Sequence, residues 1–408
     1  MWFGFAHHKY RAPTDEEGVA WMAGRGAVAY DARRMKVSRV ESRGMEARRM
    51  RRIAAAGATF LTAGFAAALI GMPAAGIAVA QSEHGQTAQH GHHAMKHKIA
   101  TGVKLTSSDD PAKQTLTLRL GPVKLPANSD HVAMAQPADK FWGVAMDGWV
   151  VAFHPRLVDA AGQAVPGRVL HHVAFWHTGR SDFLCPNKEE HIFGAGGEMN
   201  DWPAVEGFGY RVLPGDRIRI ETMFHNPTEQ SYPETYLEVR LEYRLRSAGA
   251  QLKSVYPAWF DVMECRDSGY TLVPGQTWTS GEISIRRAGT LLGVGGHMHD
   301  YGEGLFLENL TRNEKVAELR AQLDAQGRIV TMPMVTFYER GGYRLKAGER
   351  LKTTAEYSNP TGKSLPDGAM GIVVGYFLPD DDAAMASLRR KPAKRAATAA
   401  RSQGASGP

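Results

Sequence analysis

Two histidines separated by one residue stand in the stretch GHMHDYG, Gly296 to Gly302. Imidazoles at this spacing can chelate one metal ion, because alternate side chains of a β-strand lie on the same face. His297 and His299 would therefore share a face, and Met298 would pack on the opposite one. A lone His-x-His is a weak signal of a metal site, so its weight depends on the rest of the chain.

A second group of histidines stands in VLHHVAFWHTG, which contains His171, His172 and His177. Adjacent side chains diverge on a regular strand, so joint use of His171 and His172 requires a β-bulge, a strand end or a metal at the sheet edge. The alternative is one buried, hydrogen-bonded histidine beside an exposed one. His225, at the end of a later strand, is the natural third ligand of a metal site here.

The elements that must position these histidines are predicted to be β-strands. Short runs rich in Val, Ile, Leu, Thr and aromatic residues are separated by Pro-Gly, Gly-Asp and Asn-Pro turns, a pattern typical of an all-β sandwich. The only sequence run in this region that predicts a helix of appreciable length is EKVAELRAQLD, residues 314–324.

An internal repeat divides this region in two. GYRVLPGDRIRIETMFHNPT from Gly209 aligns without gaps with GYRLKAGERLKTTAEYSNPT from Gly342, and eight of twenty positions are identical. The repeat predicts two tandem β-sandwich domains, residues 113–250 and 251–380, with a ligand site between them. Ser358 occupies the position equivalent to His225, so a third ligand for the His-x-His must come from elsewhere. Met370 is the leading candidate, although a buried methionine is more often core.

The charge of the chain is concentrated at its ends. The net formal charge is +7, with +6 in residues 1–52, +6 in residues 383–408 and −5 in the rest. The mildly acidic body predicts no nucleic-acid partner.

Residues 1–80 are predicted to be an export leader. Basic residues precede an apolar run over 53–80 that ends in Ala78-Val79-Ala80, a small-residue cleavage pattern. Met45 or Met50 is an alternative true start. A periplasmic or secreted protein is expected, and the alternative is a membrane anchor formed by residues 53–80 if they are not cleaved.

The segments on either side of the two domains are predicted to be unstructured. Residues 81–112, with five histidines between His84 and His97, form a polar linker that either binds metal loosely or is simply solvated. Residues 381–408 are predicted to be a disordered basic tail. Cys185 and Cys265, the two cysteines of the chain, either form one disulfide or remain two thiols.

The chain resembles the copper type II, ascorbate-dependent monooxygenases in four sequence features that occur in the family's order. These are FHPRLVD…VLHHVAFW, GFGYRVLPGDRIRIETMFHNPT, GHMHDYG and the methionine before GIVVGYF. This family includes peptidylglycine α-hydroxylating monooxygenase and dopamine β-monooxygenase. The resemblance spans residues 115–380. It implies two jelly-roll-like β-sandwiches that face each other across a solvent-filled cleft.

The resemblance also implies two copper ions per chain, each with three protein ligands. The first set is His171, His172 and His225, and the second, catalytic set is His297, His299 and Met370. The first copper would pass electrons from ascorbate or a similar donor, and the second would activate dioxygen. The expected function is hydroxylation of a C–H bond of a small organic substrate by an exported enzyme.

The sequence departs from the peptide-amidating members at the positions that anchor the substrate carboxylate. Gly295, Ile372 and Val374 stand where those members have Arg, Asn and Tyr, so glycine-extended peptides are not expected substrates. The departure leaves open a second function, a copper-handling envelope protein without turnover. A zinc hydrolase is the third hypothesis, although a thioether ligand gains little for zinc.

Overall fold

The computed structural model describes residues 98–388; the predicted leader, the histidines of the predicted linker and residues 389–408 lie outside this range. Within it the chain is an all-β protein, as the strand-like sequence runs predicted. Its strands form two β-sandwiches, called here the first half (residues 98–254) and the second half (residues 255–388).

The first half packs a six-stranded sheet, ordered β1-β2-β9-β4-β7-β10, against a four-stranded sheet, ordered β3-β8-β5-β6. Among the strand pairings described, only β7 with β10 is parallel. The strands are β1 Lys104–Asp110, β2 Thr115–Leu125, β3 Lys140–Gly143, β4 Gly148–Asp159, β5 Leu170–Ser181, β6 Glu189–Gly196, β7 Phe208–Val212, β8 Arg217–Phe224, β9 Tyr232–Leu245 and β10 Lys253–Ser254.

The second half packs a sheet ordered β11-β23-β14-β19, with β20 also paired to β14, against one ordered β13-β21-β15-β16. Two small sheets, β12-β22 and β17-β18, complete it. The elements are β11 Tyr256–Asp261, β12 Tyr270–Leu272, β13 Gly275–Ser284, β14 Gly289–Met298, β15 Gly302–Asn309, β16 Glu314–Arg320, β17 Gln322–Leu323, β18 Ile329–Thr331, β19 Val335–Thr336, β20 Tyr343–Leu345, β21 Arg350–Asn359, β22 Leu365–Ala369, β23 Gly371–Pro379 and the helix α1 Asp382–Met385.

Each half has its own hydrophobic core, and each core includes side chains from the other half. Ile372 and Val374 of the second half pack into the first core, while Phe183 and Leu184 of the first half pack into the second core. Cys185 and Cys265 form a disulfide, which is the first of the two alternatives that the sequence left open for them. The disulfide links the two halves covalently.

Three sequence predictions are wrong where the structure describes them. The predicted helix 314–324 is instead β16 and β17, because its side chains alternate between the core and solvent when β16 pairs with β15. The predicted linker 81–112 includes β1, whose backbone pairs along its full length with β2. The predicted tail 381–408 begins with α1, where Met385 is 2% exposed and anchors the helix in the second core.

Within residues 98–388 no helix is long and apolar enough to cross a membrane.

Candidate metal centre

The paired histidines lie at the start of β5, where the strand is bulged. Leu170 pairs with Phe224 of β8 and His172 pairs with Met223, so His171 is the extra residue in the pairing. A bulge turns consecutive side chains to the same side, and the Nδ1 atoms of His171 and His172 are 3.1 Å apart. The bulge supplies the condition that joint use of adjacent histidines required.

His225 follows the last residue of β8 and completes the first set. Its backbone amide donates to the carbonyl of Val169, 3.2 Å away, which holds the end of β8 beside the start of β5. The ring centroids of His171 are 5.2 Å from His225 and 5.3 Å from His172. The three histidines predicted for one site are therefore neighbours.

His297 and His299 lie at the end of β14 with rings 5.5 Å apart. Met298 between them is 1% exposed and packs in the second core, so the opposite-face prediction for it is confirmed. The Nδ1 atom of His297 contacts a carboxylate oxygen of Glu198 at 2.8 Å, and that of His299 contacts the carbonyl of Asp367 at 3.1 Å. Because a carbonyl only accepts, Nδ1 of His299 is the protonated nitrogen.

The remaining ring nitrogens of these two histidines have no partner. Nε2 of His297 and Nε2 of His299 are buried and make no hydrogen bond. A buried polar atom without a partner costs about 1–3 kcal/mol and calls for an explanation. Histidines that bind a metal characteristically donate one ring N–H to a carboxylate or carbonyl and present the other nitrogen to the ion. His297 and His299 fit a metal in this respect.

Met370 is the residue between β22 and β23, and the hydroxyl of Tyr357 fixes its backbone. This hydroxyl donates to the Met370 carbonyl at 2.5 Å and accepts from the amides of Met370 and His299, each at 3.0 Å. Tyr357 is 1% exposed. One buried hydroxyl thus ties two of the three predicted ligands of the second set to each other.

The two predicted ligand sets lie side by side. The rings of His171 and His299 have centroids 4.5 Å apart, in edge-to-face contact. Members of both sets line a cavity of about 870 Å³ to which both halves contribute. The cavity agrees with a space between the sandwiches, and the two sets lie in ring contact at its wall.

Burial keeps most of these imidazoles neutral, the form that binds metals. Desolvation, followed by the neighbouring histidines, holds the pKa values of His171 and His299 well below the usual range. Desolvation also lowers the pKa of His225 to about 4. At His297 burial favours the neutral form, but the charge of Glu198 and the hydrogen bond to it outweigh burial and raise the pKa.

The halves meet at the segment that follows β6, which sequence reasoning missed. Besides the contact of Glu198 with His297, Asn200 Nδ2 donates to the Gly296 carbonyl at 3.0 Å. A Cβ atom on Gly196 would lie 2.5 Å from the His297 ring, so only glycine permits this approach. The segment GGEMND carries no motif, because its role depends on a partner 99 residues away in the chain.

His177, the third histidine of the sequence cluster, does not join the others. Its Nε2 atom lies 3.1 Å from the carboxylate of Asp216, and its side chain is 2% exposed. Asp216 also lies 3.6 Å from the guanidinium of Arg180. His177 therefore belongs to a buried polar group at the opposite end of β5 from His171.

The substrate-anchor positions form an apolar wall. Ile372 and Val374 are 3% and 8% exposed and line the cavity. Gly295 lies against the ring of Trp202, which would meet a Cβ atom there at 3.0 Å. The indole of Trp259 stacks on His191 at a centroid distance of 4.1 Å in the same wall. At these three positions the wall offers no arginine to a carboxylate, although Arg219 and Lys188 line the cavity elsewhere.

No three His, Cys, Asp or Glu side chains in residues 98–388 are arranged about one point as a bound ion would require. The ring of an imidazole turns easily about its χ2 bond, so the backbone fixes the spacing of rings more firmly than the direction of their nitrogens. The fit to a metal rests on the spacing of the rings and on the two unpartnered Nε2 atoms.

No family model and no curated protein matches the chain. Among solved structures, the STIV MCP is 8% identical, with a TM-score of 0.33 over 68% of this chain and 95% of that one. PNGase F, a glycosylasparaginase from Flavobacterium meningosepticum, is 10% identical, with a TM-score of 0.34 over 68% of this chain and 96% of that one. At these scores neither likeness carries an argument about function.

Proposed function

We propose that this protein is an exported dicopper monooxygenase that hydroxylates a C–H bond of a small, largely apolar organic substrate with dioxygen and an ascorbate-like donor. The observation that carries the proposal is the pair of buried, unpartnered Nε2 atoms on His297 and His299. A metal ion is the partner that would satisfy both. His171 of the first set lies in ring contact with His299, and the resemblance to the monooxygenase family assigns copper to both sets.

The donor types of the two sets favour copper over zinc. Three imidazoles, His171, His172 and His225, suit both Cu(I) and Cu(II), whereas the soft thioether of Met370 beside two imidazoles favours Cu(I). Bound copper would supply one-electron transfer at the first set and dioxygen activation at the second. A zinc hydrolase would gain little from the thioether.

The chain itself would position the ligands and shield the reaction. Glu198 and the Asp367 carbonyl would hold the imidazoles of the second set through Nδ1 and leave Nε2 as the nitrogen that could bind the ion. Tyr357 keeps Met370 and His299 in register. Ile372 and Val374 give the cavity an apolar wall that would bind an apolar substrate and displace water.

The test is the copper content and the reductant-dependent oxygen consumption of the purified protein. The proposal predicts two copper ions per chain and oxygen use that rises with a small apolar substrate. Met370→Leu should abolish substrate-linked oxygen use, while Met298→Leu, a core methionine of the same motif, should retain it. Restoration of activity by zinc instead of copper would contradict the proposal.

A copper-handling protein without turnover is the second candidate. It is favoured by the apolar residues that replace the substrate anchors at positions 295, 372 and 374. Two bound copper ions with no substrate-linked oxygen use across a broad panel of substrates would support it and contradict the enzyme.

A further inference from the structure

A fourth imidazole lies against the first set. His131, in the loop between β2 and β3, is 7% exposed. Its ring centroid is 4.7 Å from that of His171, closer than either His172 or His225. No sequence motif marks His131, because it stands alone in PANSDHVAM, far from the paired histidines.

Buried hydrogen bonds fix the His131 loop to the end of β8. Gln136, which is 4% exposed, donates from Nε2 to the carbonyls of His131 and Phe224, each at 2.9 Å, and accepts from the Phe224 amide at 2.8 Å. On the other side of His225, Ser129 and Asn226 exchange two backbone hydrogen bonds of 2.8 and 2.7 Å. The loop that carries His131 is therefore fixed beside the end of β8, which His225 follows.

The Nδ1 atom of His131 lies 3.2 Å from a carboxylate oxygen of Asp130. Ligating histidines commonly direct one ring nitrogen to a carboxylate, which orients the ring and makes the other nitrogen a better donor. His297 of the second set has the same kind of partner in Glu198. The Asp130 contact thus repeats an arrangement already found in the centre.

The ring spacing about His171 is compatible with a shared ion once the imidazoles turn about χ2 to direct their nitrogens at it. With metal–nitrogen distances of about 2.0 Å, imidazoles bound to one ion have ring centres roughly 4.5–5.5 Å apart. The distances from His171 to His131, His172 and His225 are 4.7, 5.3 and 5.2 Å. All three lie within this range.

We infer that His131 is a ligand of the first metal site, which would then hold copper with four imidazoles: His131, His171, His172 and His225. The inference rests on the proposed function for the metal itself and adds a ligand to it. Four imidazoles suit the tetragonal geometry that Cu(II) prefers. The first set would accordingly bind Cu(II) more tightly than the second set, whose thioether favours Cu(I).

The experiment counts ligands in the full-length protein loaded with Cu(II). In a His297→Ala background, which leaves the second set with one imidazole, pulsed EPR counts the imidazole nitrogens bound to the copper of the first set, and a chelator competition gives its affinity. We expect four imidazoles with His131 present and three in His131→Ala, with a Cu(II) affinity at least tenfold lower. Free imidazole added to His131→Ala should restore the fourth nitrogen signal.

His154→Ala is the matched control, since His154 pairs with Asp201 and Glu242 outside the cluster. It should leave the nitrogen count and the affinity unchanged. The count of four in the protein with His131 intact does not depend on the variant being folded, and His131→Gln provides a second, polar replacement.

The outcomes separate the ligand inference from the proposed function. Two copper ions per chain with three imidazoles at the first site, and no change in His131→Ala, would overturn the role of His131 and leave the dicopper proposal standing. A protein that binds no copper would overturn both.

Discussion

The two halves end their repeated hairpins in the same way, although only the first half has a proposed metal ligand there. Asn226 donates from Nδ2 to the carbonyls of Leu125 and Gln230 and accepts from the amide and hydroxyl of Thr228. It is 0% exposed. These four hydrogen bonds fold the Asn-Pro-Thr turn and fasten it to the end of β2.

Asn359, at the equivalent position of the second half, makes the same four bonds. It donates to the carbonyls of Leu272 and Lys363 and accepts from the amide and hydroxyl of Thr361. The agreement extends from sequence to individual atoms, which supports a common origin for the two halves.

The difference lies in the two residues before this asparagine. The first half has Phe224 and His225, and the second has Tyr357 and Ser358. In the first half the turn itself presents the imidazole. In the second half the hydroxyl of Tyr357 instead holds the backbone of His299, just after β14, and of Met370, between β22 and β23. The same turn thus carries a proposed ligand directly in the first half, and in the second half it positions two proposed ligands through a buried hydroxyl.

The largest expected effect comes from making the first half like the second. His225→Ser removes an imidazole from the first set, so we expect its Cu(II) affinity to fall by about tenfold or more. Substrate-linked oxygen consumption should fall by about 100-fold, because the weakened first set transfers electrons poorly. A chelator competition and an oxygen electrode measure both.

Ser358→Ala is the control for this change, because it alters the equivalent position of the second half. It should bind two copper ions and turn over normally. If His225→Ser kept the Cu(II) affinity of the unmodified protein at the first set, the two turns would not differ in function as the comparison requires.

Substitution of Asn226 and Asn359 tests whether the two Asn-Pro-Thr turns are structurally equivalent. Asn226→Ala and Asn359→Ala each leave buried carbonyl, amide and hydroxyl groups without partners, so each should lower the free energy of unfolding by about 2–4 kcal/mol. Urea denaturation measures this loss. Only Asn226→Ala should also weaken copper binding at the first set, since His225 is its neighbour. A large difference between the two stability losses would contradict the equivalence of the turns.

Much of this architecture was predictable because it depends on local sequence patterns. Alternating apolar residues predicted the strands, and the repeat at an offset of 133 residues predicted the two equivalent hairpins. The helix predicted at 314–324 failed because Glu, Lys, Ala and Leu favour helices locally, whereas pairing of β16 with β15 decided the structure.

The candidate site was predictable to the extent that its residues form motifs. The proposed ligands of both sets stand in recognisable sequence runs, and a β-bulge, one of the conditions named for joint use of His171 and His172, is present in β5. Glu198 and His131 were missed because each acts through a contact between distant parts of the chain. The adjacency of the two sets also depends on how the halves pack, which no local pattern encodes.

Tyr357→Phe tests the indirect positioning in the second half. The change removes one hydroxyl that makes three hydrogen bonds, and two buried amides and a carbonyl lose their partner. We expect a loss of about 1–3 kcal/mol in stability and a Cu(I) affinity at the second set that is lower by about 10–100-fold. Denaturation and a Cu(I)-chelator competition measure these effects.

Tyr243→Phe is the matched control, because its hydroxyl donates to Asp109 at the edge of the first half. It should leave Cu(I) binding unchanged. An equal loss of Cu(I) affinity in both variants would mean that Tyr357 acts only through general stability.

The smallest effect is expected at the turn that begins β8, where the halves again agree. Asp216 accepts from the amide of Leu213 at 2.9 Å, as Glu349 accepts from the amide of Lys346 at 3.1 Å. Burial alone would raise the pKa of Asp216, but its contacts with His177, the Leu213 amide and Arg180 outweigh burial and lower it.

A carboxyl group whose pKa is lower in the folded state stabilises the fold above its unfolded pKa of about 3.9. That stability is lost as the pH falls through the folded pKa. Asp216→Asn should therefore be less stable than the unmodified protein by about 1 kcal/mol at pH 6, and the gap should narrow below about pH 4. Thermal or urea denaturation between pH 3 and pH 7 measures it. A stability difference that widened on acidification would show that the folded state favours the protonated carboxyl of Asp216. The pKa of Asp216 would then be raised in the folded state, and the proposed stabilisation by its charge would be wrong.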